Sequence, residues 1–302
     1  MLQENTPETE YRCGYIALVG KPNVGKSTLM NKIIGEKVSI VTAKPQTTRQ
    51  QIIGIHTSDK GQTIYVDTPG IHHSAGKALN RYMNRVARAA LRDIDVVAFL
   101  VEAGRWSPTD EHALKAVLKA ERPTVLVVNK IDLMPDKSKL LPFVENISKD
   151  QPFDKIYMIS ALKGKGVDSF QQDMEDRLPF SRPFYDADQI TNRSQRFLAA
   201  ELIREQLTLR LHQELPYAIT VSIDAFEYSP EITKISATIW VERDSQKQIV
   251  IGKKGAVLKQ VGTGARLGMQ TLFEQKIFLK LWVKVSRGWS DDEAALNRFG
   301  FD

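Results

Sequence analysis

The octapeptide GKPNVGKS, Gly20 to Ser27, follows directly on the apolar run YIALV. A strand that runs into two glycines, a lysine and a serine at this spacing has few ways to fold. Glycine admits backbone conformations and close approaches that a Cβ obstructs. Successive backbone N–H groups then point into one concavity and hold phosphate oxygens. Lys26 reaches the β- and γ-phosphates of a nucleotide, and the Ser27 hydroxyl serves Mg2+. The helix opening near Lys26 turns its N-terminus toward the same anion. The candidate phosphate-binding residues are Gly20, Lys21, Pro22, Asn23, Val24, Gly25, Lys26, Ser27 and Thr28.

The pattern around this loop is that of a mainly parallel sheet with helices on both faces. Six apolar runs read as strands: YIALV, QIIGI, TIYVD, VVAFLVE, TVLVVN and KIYMIS. Several are apolar throughout, as strands buried on both faces should be. Helical patterns at 26–34, 77–92, 109–120, 138–149 and 167–178 separate most of them. Only HTSDKGQ lies between QIIGI and TIYVD, which is too short for a crossover helix, so that pair is expected to be antiparallel. Prolines in LPFSRPFYDADQIT break the rhythm. The expected division is a tail at 1–12, a nucleotide-binding domain at 13–178, a linker at 179–191 and a smaller α+β domain at 192–302.

Asn129-Lys130-Ile131-Asp132 closes the strand TVLVV and bears on the choice of base. The Asp132 carboxylate can accept from the guanine N1–H and 2-amino groups, and adenine would leave it desolvated and unpaired. A site built on such bonds rejects the analogue lacking them by up to ~10⁴–10⁵. Asn129 can brace the loop and the Lys130 stem can cover the base. In Ser160-Ala161-Leu162, after the next strand, the Ala161 N–H is a candidate donor to guanine O6. Asp67-Thr68-Pro69-Gly70 follows TIYV: Asp67 is a candidate to hold Mg2+ through water, and the Gly70 N–H to sense the γ-phosphate. In SIVTAKPQTTRQQ, Thr48 or Thr47 is the candidate second hydroxyl on Mg2+, ordered only while the γ-phosphate is present. The catalytic candidates are Lys26, Thr48 and Gly70, and the metal-ligating ones are Ser27, Thr48 and Asp67.

The second half carries Gly252-Lys253-Lys254-Gly255, the form of a loop in which two glycines let backbone approach a sugar–phosphate chain and two lysines neutralise it. A lone GxxG is a weak signal, and its flanks give it weight. From Lys247 to Arg287 there are nine Lys/Arg and one acid, a net +8, against +6 for the whole chain. Charge so focused is the footprint expected of a nucleic-acid site. Lys259 and Arg287 join the GKKG loop as RNA-binding candidates. In KIFLKLWVKV, Ile277, Leu279, Leu281, Val283 and Val285 share a face that should pack on helices. Lys276, Phe278, Lys280, Trp282 and Lys284 share the other, which is either solvated or meets RNA. A short helix near 245–250 should precede the GKKG loop. Trp289 can extend the RNA surface, and Ser290 can cap a closing surface helix. His72 and His73, after the DTPG turn, read as switch residues and not as metal ligands.

GKPNVGKS, DTPG, NKID and SAL stand in the order of the GTPase superfamily. Asn23, the TTR of the switch and Ile71 after DTPG resemble its bacterial TrmE-Era-EngA branch, and the terminal GKKG domain resembles the type II KH domain of the Era family. The resemblance spans the chain beyond its first dozen residues. It implies a GTP-hydrolysing switch that uses GTP, GDP and Mg2+, with Ile71 beside the nucleotide and K+ held near Asn23. An aliphatic Ile71 stands where Ras carries its water-orienting glutamine. Hydrolysis must then rest on positioning and cations, and should be slow. The resemblance also implies binding to single-stranded RNA at the 3′ end of 16S-type ribosomal RNA, in assembly of the 30S subunit. RNA rather than DNA and a monomeric state are the expectations, with GTP altering how the switches pack on the KH domain and the linker letting the domains reorient.

A reading from another class is a GTP-sensing adaptor whose basic domain binds a protein or an anionic membrane. No apolar run approaches the roughly 18 residues of a membrane span, and MLQENTPETEYR lacks the build of a secretion signal. A cytoplasmic protein, peripheral at most on the inner membrane, is expected. Cys13 is the only cysteine, which excludes an intramolecular disulfide and a Cys-rich metal site.

Overall fold

The computed structural model describes residues 10–70, 76–149, 151–211 and 215–301. Its first half is a six-stranded sheet built from β1 (Arg12–Val19), β2 (Ile52–Thr57), β3 (Gly61–Asp67), β4 (Val96–Glu102), β5 (Thr124–Asn129) and β6 (Lys155–Met158), in the order β2-β3-β1-β4-β5-β6. Every pairing is parallel except β2 with β3, the pair too closely spaced for a crossover. Helices α1 (Lys26–Ile34), α2 (Ala78–Ala89), α3 (Pro108–Leu118), α4 (Leu140–Ser148) and α5 (Val167–Asp176) cover the two faces. Two separate apolar cores result: Leu18, Leu29, Leu100 and Phe170 belong to one, Phe99, Leu114, Leu126 and Ile147 to the other. The order reverses between β1 and the β4 side, and ligands of such sheets bind at the carboxyl ends of strands beside that reversal.

The second half is a three-stranded sheet, β7 (Ile219–Glu227), β8 (Thr233–Val241) and β9 (Ile277–Val285), with β7–β8 antiparallel and β8–β9 parallel. Helices α6 (Gln195–Arg210), α7 (Asp244–Ile251) and α8 (Ala256–Phe273) pack on one side of it, over a core that includes Ile203, Ile235, Ile239, Val261 and Met269. The short helix expected before GKKG is α7.

Two features depart from expectation. The linker is fastened to the first domain, not loose. Cys13 N–H donates to Pro179 O, Ser181 N–H to Tyr11 O and Ile55 N–H to Ile190 O. The buried Gln62 amide answers the backbone of Phe184 and Tyr185. The tail does not form a surface helix capped by Ser290. Asp292 caps α9 (Glu293–Arg298), while Ser290 bonds Glu242. Trp289 is fully buried and so offers RNA nothing: with Leu296 and Phe301 it packs on Leu79, Tyr82 and Met83 of α2. A stripe of α2 left apolar by its own sequence finds its cover in the segment from Trp289 to Phe301.

Candidate functional site

A cavity of about 390 Å³ opens at the carboxyl ends of β1, β3 and β5. Pro22, Asn23, Gly25, Lys26, Ser27 and Thr28 form its floor, Gly70 one side, Asn129, Lys130, Asp132, Ala161 and Leu162 the far end. Gly20, Lys21, Val24, Asp67, Thr68, Pro69, Ile131 and Ser160 stand behind this lining. Gly25 sits at φ 102°, where a Cβ would lie 2.3 Å from the Asn129 amide nitrogen. That close approach is the reason for glycine: it lets Asn129 reach across. Asn129 Nδ2 donates to Val24 O at 2.8 Å, and Asn129 Oδ1 accepts from Ala161 N–H at 2.9 Å. One side chain thus ties the phosphate loop, the NKID turn and the SAL turn together. The Ala161 N–H that was a candidate for guanine O6 is engaged in this brace. Lys130 adopts φ 64°, a left-handed conformation uncommon outside glycine, and its ammonium pairs with Glu102 at 2.8 Å. Lys21 pairs instead with the buried Asp110 at the start of α3, at 2.7 Å.

Lys26 is 6% exposed, its ammonium 3.1 Å from Gly20 O and 3.0 Å from Lys21 O. Burial pushes its pKa down to about 8, with Asp67 acting in the opposite sense. The loop therefore holds a cation short of negative partners. Near it, three hydroxyls converge on Asp67 Oδ2: Ser27 at 2.6 Å, Ser39 at 2.9 Å and Thr48 at 3.2 Å. Ser27 Oγ and Thr48 Oγ1 are 3.0 Å apart. Asp67 is fully buried, which raises its pKa against the lowering by Lys26 and the hydroxyls. Its Oδ1 has no hydrogen-bond partner among the described residues. Clustered oxygen donors beside an orphaned buried carboxylate oxygen suit a hard divalent cation such as Mg2+. Of the two threonines, Thr48 joins this cluster, whereas Thr47 bonds Thr42 and Lys44 O. Asn23, the candidate for K+, donates its amide to Ala43 O at 2.7 Å. Ile71, like His72 and His73, lies outside the described residues.

Residues that the sequence marked only as part of the switch segment complete the site. Ile40, Val41, Thr42, Ala43 and Gln46 wall the cavity, and Ser39 joins the carboxylate cluster. This same loop is gripped from its other side by the second domain. Lys37 pairs with Glu205 at 2.6 Å, and Val41 N–H donates to that carboxylate at 3.0 Å. Lys44 donates to Thr208 O and Leu211 O, and Arg204 to Thr47 O. Arg49 is 2% exposed and donates to Ile219 O at 2.6 Å, Pro216 O at 2.9 Å and Tyr217 O at 3.2 Å. Burial is the main force that lowers its pKa to about 9.

The GKKG segment joins α7 to α8. Gly252 has φ 73° with a Cβ position 2.5 Å from Val257, and Lys254 has φ 51°. Lys253, Lys254, Lys259 and Arg287 are exposed. Beside the loop runs a groove lined by Leu258, Lys259, Gly262, Arg266, Leu279 and Leu281. Leu279 and Leu281 thus have apolar surface to offer a ligand besides their part in the core. A cationic loop along an apolar trough is a surface that can take a phosphate chain and the bases it carries. Among the described residues no helix is long and apolar enough to cross a membrane.

Comparison with known proteins finds relatives of both domains. Residues 15–130 match the family model "50S ribosome-binding GTPase", and residues 214–290 match "KH domain". The chain is 51% identical over 290 residues to GTPase Era of Ectopseudomonas mendocina (strain ymp), covering 96% of this chain and 97% of the relative. It is 49% identical over 301 residues to GTPase Era of Xanthomonas campestris pv. campestris (strain B100), covering 100% of both. Among solved structures, Era in complex with MgGDPNP and nucleotides 1506–1542 of 16S ribosomal RNA superposes with a TM-score of 0.93 at 36% identity, over 96% of this chain and 99% of that one. A variant of Aquifex aeolicus Era bound to GDP·AlF4− gives 0.92 at 36% identity, with the same coverage.

Proposed function

The chain belongs to the Era family of GTPases, and from that premise we propose that its GTP cycle times engagement of the 3′ end of 16S-type ribosomal RNA during assembly of the 30S subunit. Support for the RNA target comes from the solved relative that carries nucleotides 1506–1542 of 16S ribosomal RNA. GTP enters the cavity with its phosphates over Gly20–Thr28 and its base against Asp132. Lys26 neutralises the β- and γ-phosphates, and the Gly70 N–H faces the γ-phosphate. Ser27, Thr48 and Asp67 hold Mg2+, which when bound neutralises charge that builds on the phosphates. A K+ ion beside Asn23 adds to that neutralisation, and a faster turnover in K+ than in Na+ tests it. RNA lies along Lys253, Lys254 and Lys259, with Arg287 on its flank. The protein acts as a cytoplasmic monomer and needs no membrane contact for this role; a peripheral inner-membrane contact would register as sedimentation with anionic vesicles.

The observation that carries the coupling is one peptide bond. Thr48 sits in the oxygen cluster of the metal site, and Arg49, its neighbour, is bound to three carbonyls of the second domain. Loss of the γ-phosphate frees Thr48, and a segment so short cannot move Thr48 without disturbing Arg49. Affinity for a 16S 3′-end oligonucleotide, measured with GDP and with a non-hydrolysable GTP analogue, should differ. Equal affinities would remove the coupling.

A further inference from the structure

The KH-type sheet has two faces; α6, α7 and α8 cover one, and the other is met only at its Trp240 end, by Phe299 after α9. Ile235, Ala237, Ile239 and Val241 of β8 point into the core. Lys234, Ser236, Thr238 and Trp240 point out, and their partners across the parallel β8–β9 pairing are Phe278, Lys280, Trp282 and Lys284 in turn. On β8 the outward row is polar up to Trp240, with Thr238 buried in a hydrogen bond that it donates to Asp224 at 2.7 Å. On β9 the outward row is not: Phe278 is 55% exposed and Trp282 49% exposed, alternating with lysines. Large aromatics held open on an exposed sheet face mark a contact surface. The GKKG groove lies against Leu279 and Leu281, which are on the other side of the same strand.

From this arrangement we infer that the outer face of β8 and β9 is a second single-stranded RNA site, a stacking platform for unpaired bases separate from the GKKG clamp. Aromatic rings on an exposed sheet accept successive bases whatever their sequence, because every base has a π-face. Lysines at alternate outward positions answer the phosphates. Lys280 lies over the Trp282 ring at 4.9 Å and Lys284 over the Trp240 ring at 5.7 Å. A stacked base takes the place of the ammonium, which swings to the phosphate of the same nucleotide. Trp240 is fixed for this role by its indole N–H to Ser222 and by Phe299 at 5.5 Å. On the far side Asp224 and Glu227 of β7 border the platform, so a strand runs along β8 and β9 and does not cross β7. That border also argues against an anionic membrane, which would press on the acids as well as the lysines. The platform does not depend on the GKKG reading, since its residues face away from that loop.

The test uses the full chain, a fluorescein-labelled dodecauridylate at low salt, and three pairs of substitutions. Phe278→Ala with Trp282→Ala should weaken binding about 10- to 100-fold, and should do so as well when Lys253→Asp and Lys254→Asp have already disabled the clamp. Phe278→Tyr with Trp282→Phe should restore binding to within about threefold of the native chain, because rings still stack. GTP hydrolysis in every variant checks the fold. Photocrosslinks from 5-bromouridine should map to Phe278 and Trp282 on the outer side of β9. Binding unchanged by the double alanine variant, or crosslinks confined to the GKKG helices, would overturn the platform and leave the clamp standing. So would a double alanine variant that keeps RNA and loses only phosphatidylglycerol vesicles.

Discussion

Lys26 and Lys254 both stand in short glycine-flanked loops, yet Lys26 is 6% exposed between two backbone carbonyls while Lys254 extends into solvent from a left-handed backbone. The first loop is closed over by Asn129 and by the 40–48 segment, and the second is open along its length. Enclosure makes each hydrogen bond a condition of entry, because an unmatched group inside is left desolvated. An open lysine attracts any phosphate within reach, and salt weakens it. One protein thus carries a phosphate site that chooses its ligand and another that tolerates many.

The comparison breaks first at Asp132. Asp132 lies exposed at the base end of the cavity; if its pairing with the bound base confers choice, Asp132→Asn should lower the preference for GTP over XTP by about 10⁴, read from competition for the bound nucleotide. Retained guanine preference would remove Asp132 from the base site. Next in size is Lys26→Ala, which should slow single-turnover GTP hydrolysis about 10²- to 10³-fold, the range for removing one preorganised charge-stabilising group. A third test turns on protons. The Lys26 pKa is pushed down to about 8 in the free protein, and bound phosphates must raise it, since they favour the ammonium. GTP affinity should therefore be highest below about pH 8, where the lysine is charged both free and bound. Above about pH 8 it should fall up to tenfold per unit until the bound-state pKa is reached. Calorimetry in buffers of different ionisation enthalpy should find proton uptake on binding near pH 9 and little near pH 6.5, at about those values. Equal uptake at both would contradict a depressed Lys26.

What the sequence made legible follows the same divide. That Gly20–Ser27, Asp67, Asn129 and Asp132 gather at one place was legible because local spacing marks each of their motifs, and the strands around them because burial on both faces leaves unbroken apolar runs. Thr48 could be narrowed only to a pair, since two adjacent hydroxyls look alike until the fold brings one to Asp67. Arg49 gave no sign of its grip: its partners are three backbone carbonyls about 170 residues away, and a carbonyl has no sequence signature. Trp289 was misread for a related reason. An aromatic near basic residues suits an RNA surface, and only the bare stripe on α2 shows why it is buried. The linker escaped too, because Gln62 gives no hint that its amide answers Phe184 and Tyr185.

The smallest predicted effect sharpens the contrast from the open side. Lys253→Ala with Lys254→Ala removes two exposed cations and disturbs no enclosed bond, so RNA affinity should fall only a few-fold near physiological salt. The slope of log K against log salt should flatten by about 1.4, two phosphate contacts at about 0.7 each for a single strand. GTP affinity and its salt dependence should not change. Because the loss is electrostatic, it should be alike for oligonucleotides of different sequence. A loss confined to one sequence would mean that the loop reads bases, and the open site would then choose its ligand as the enclosed one does.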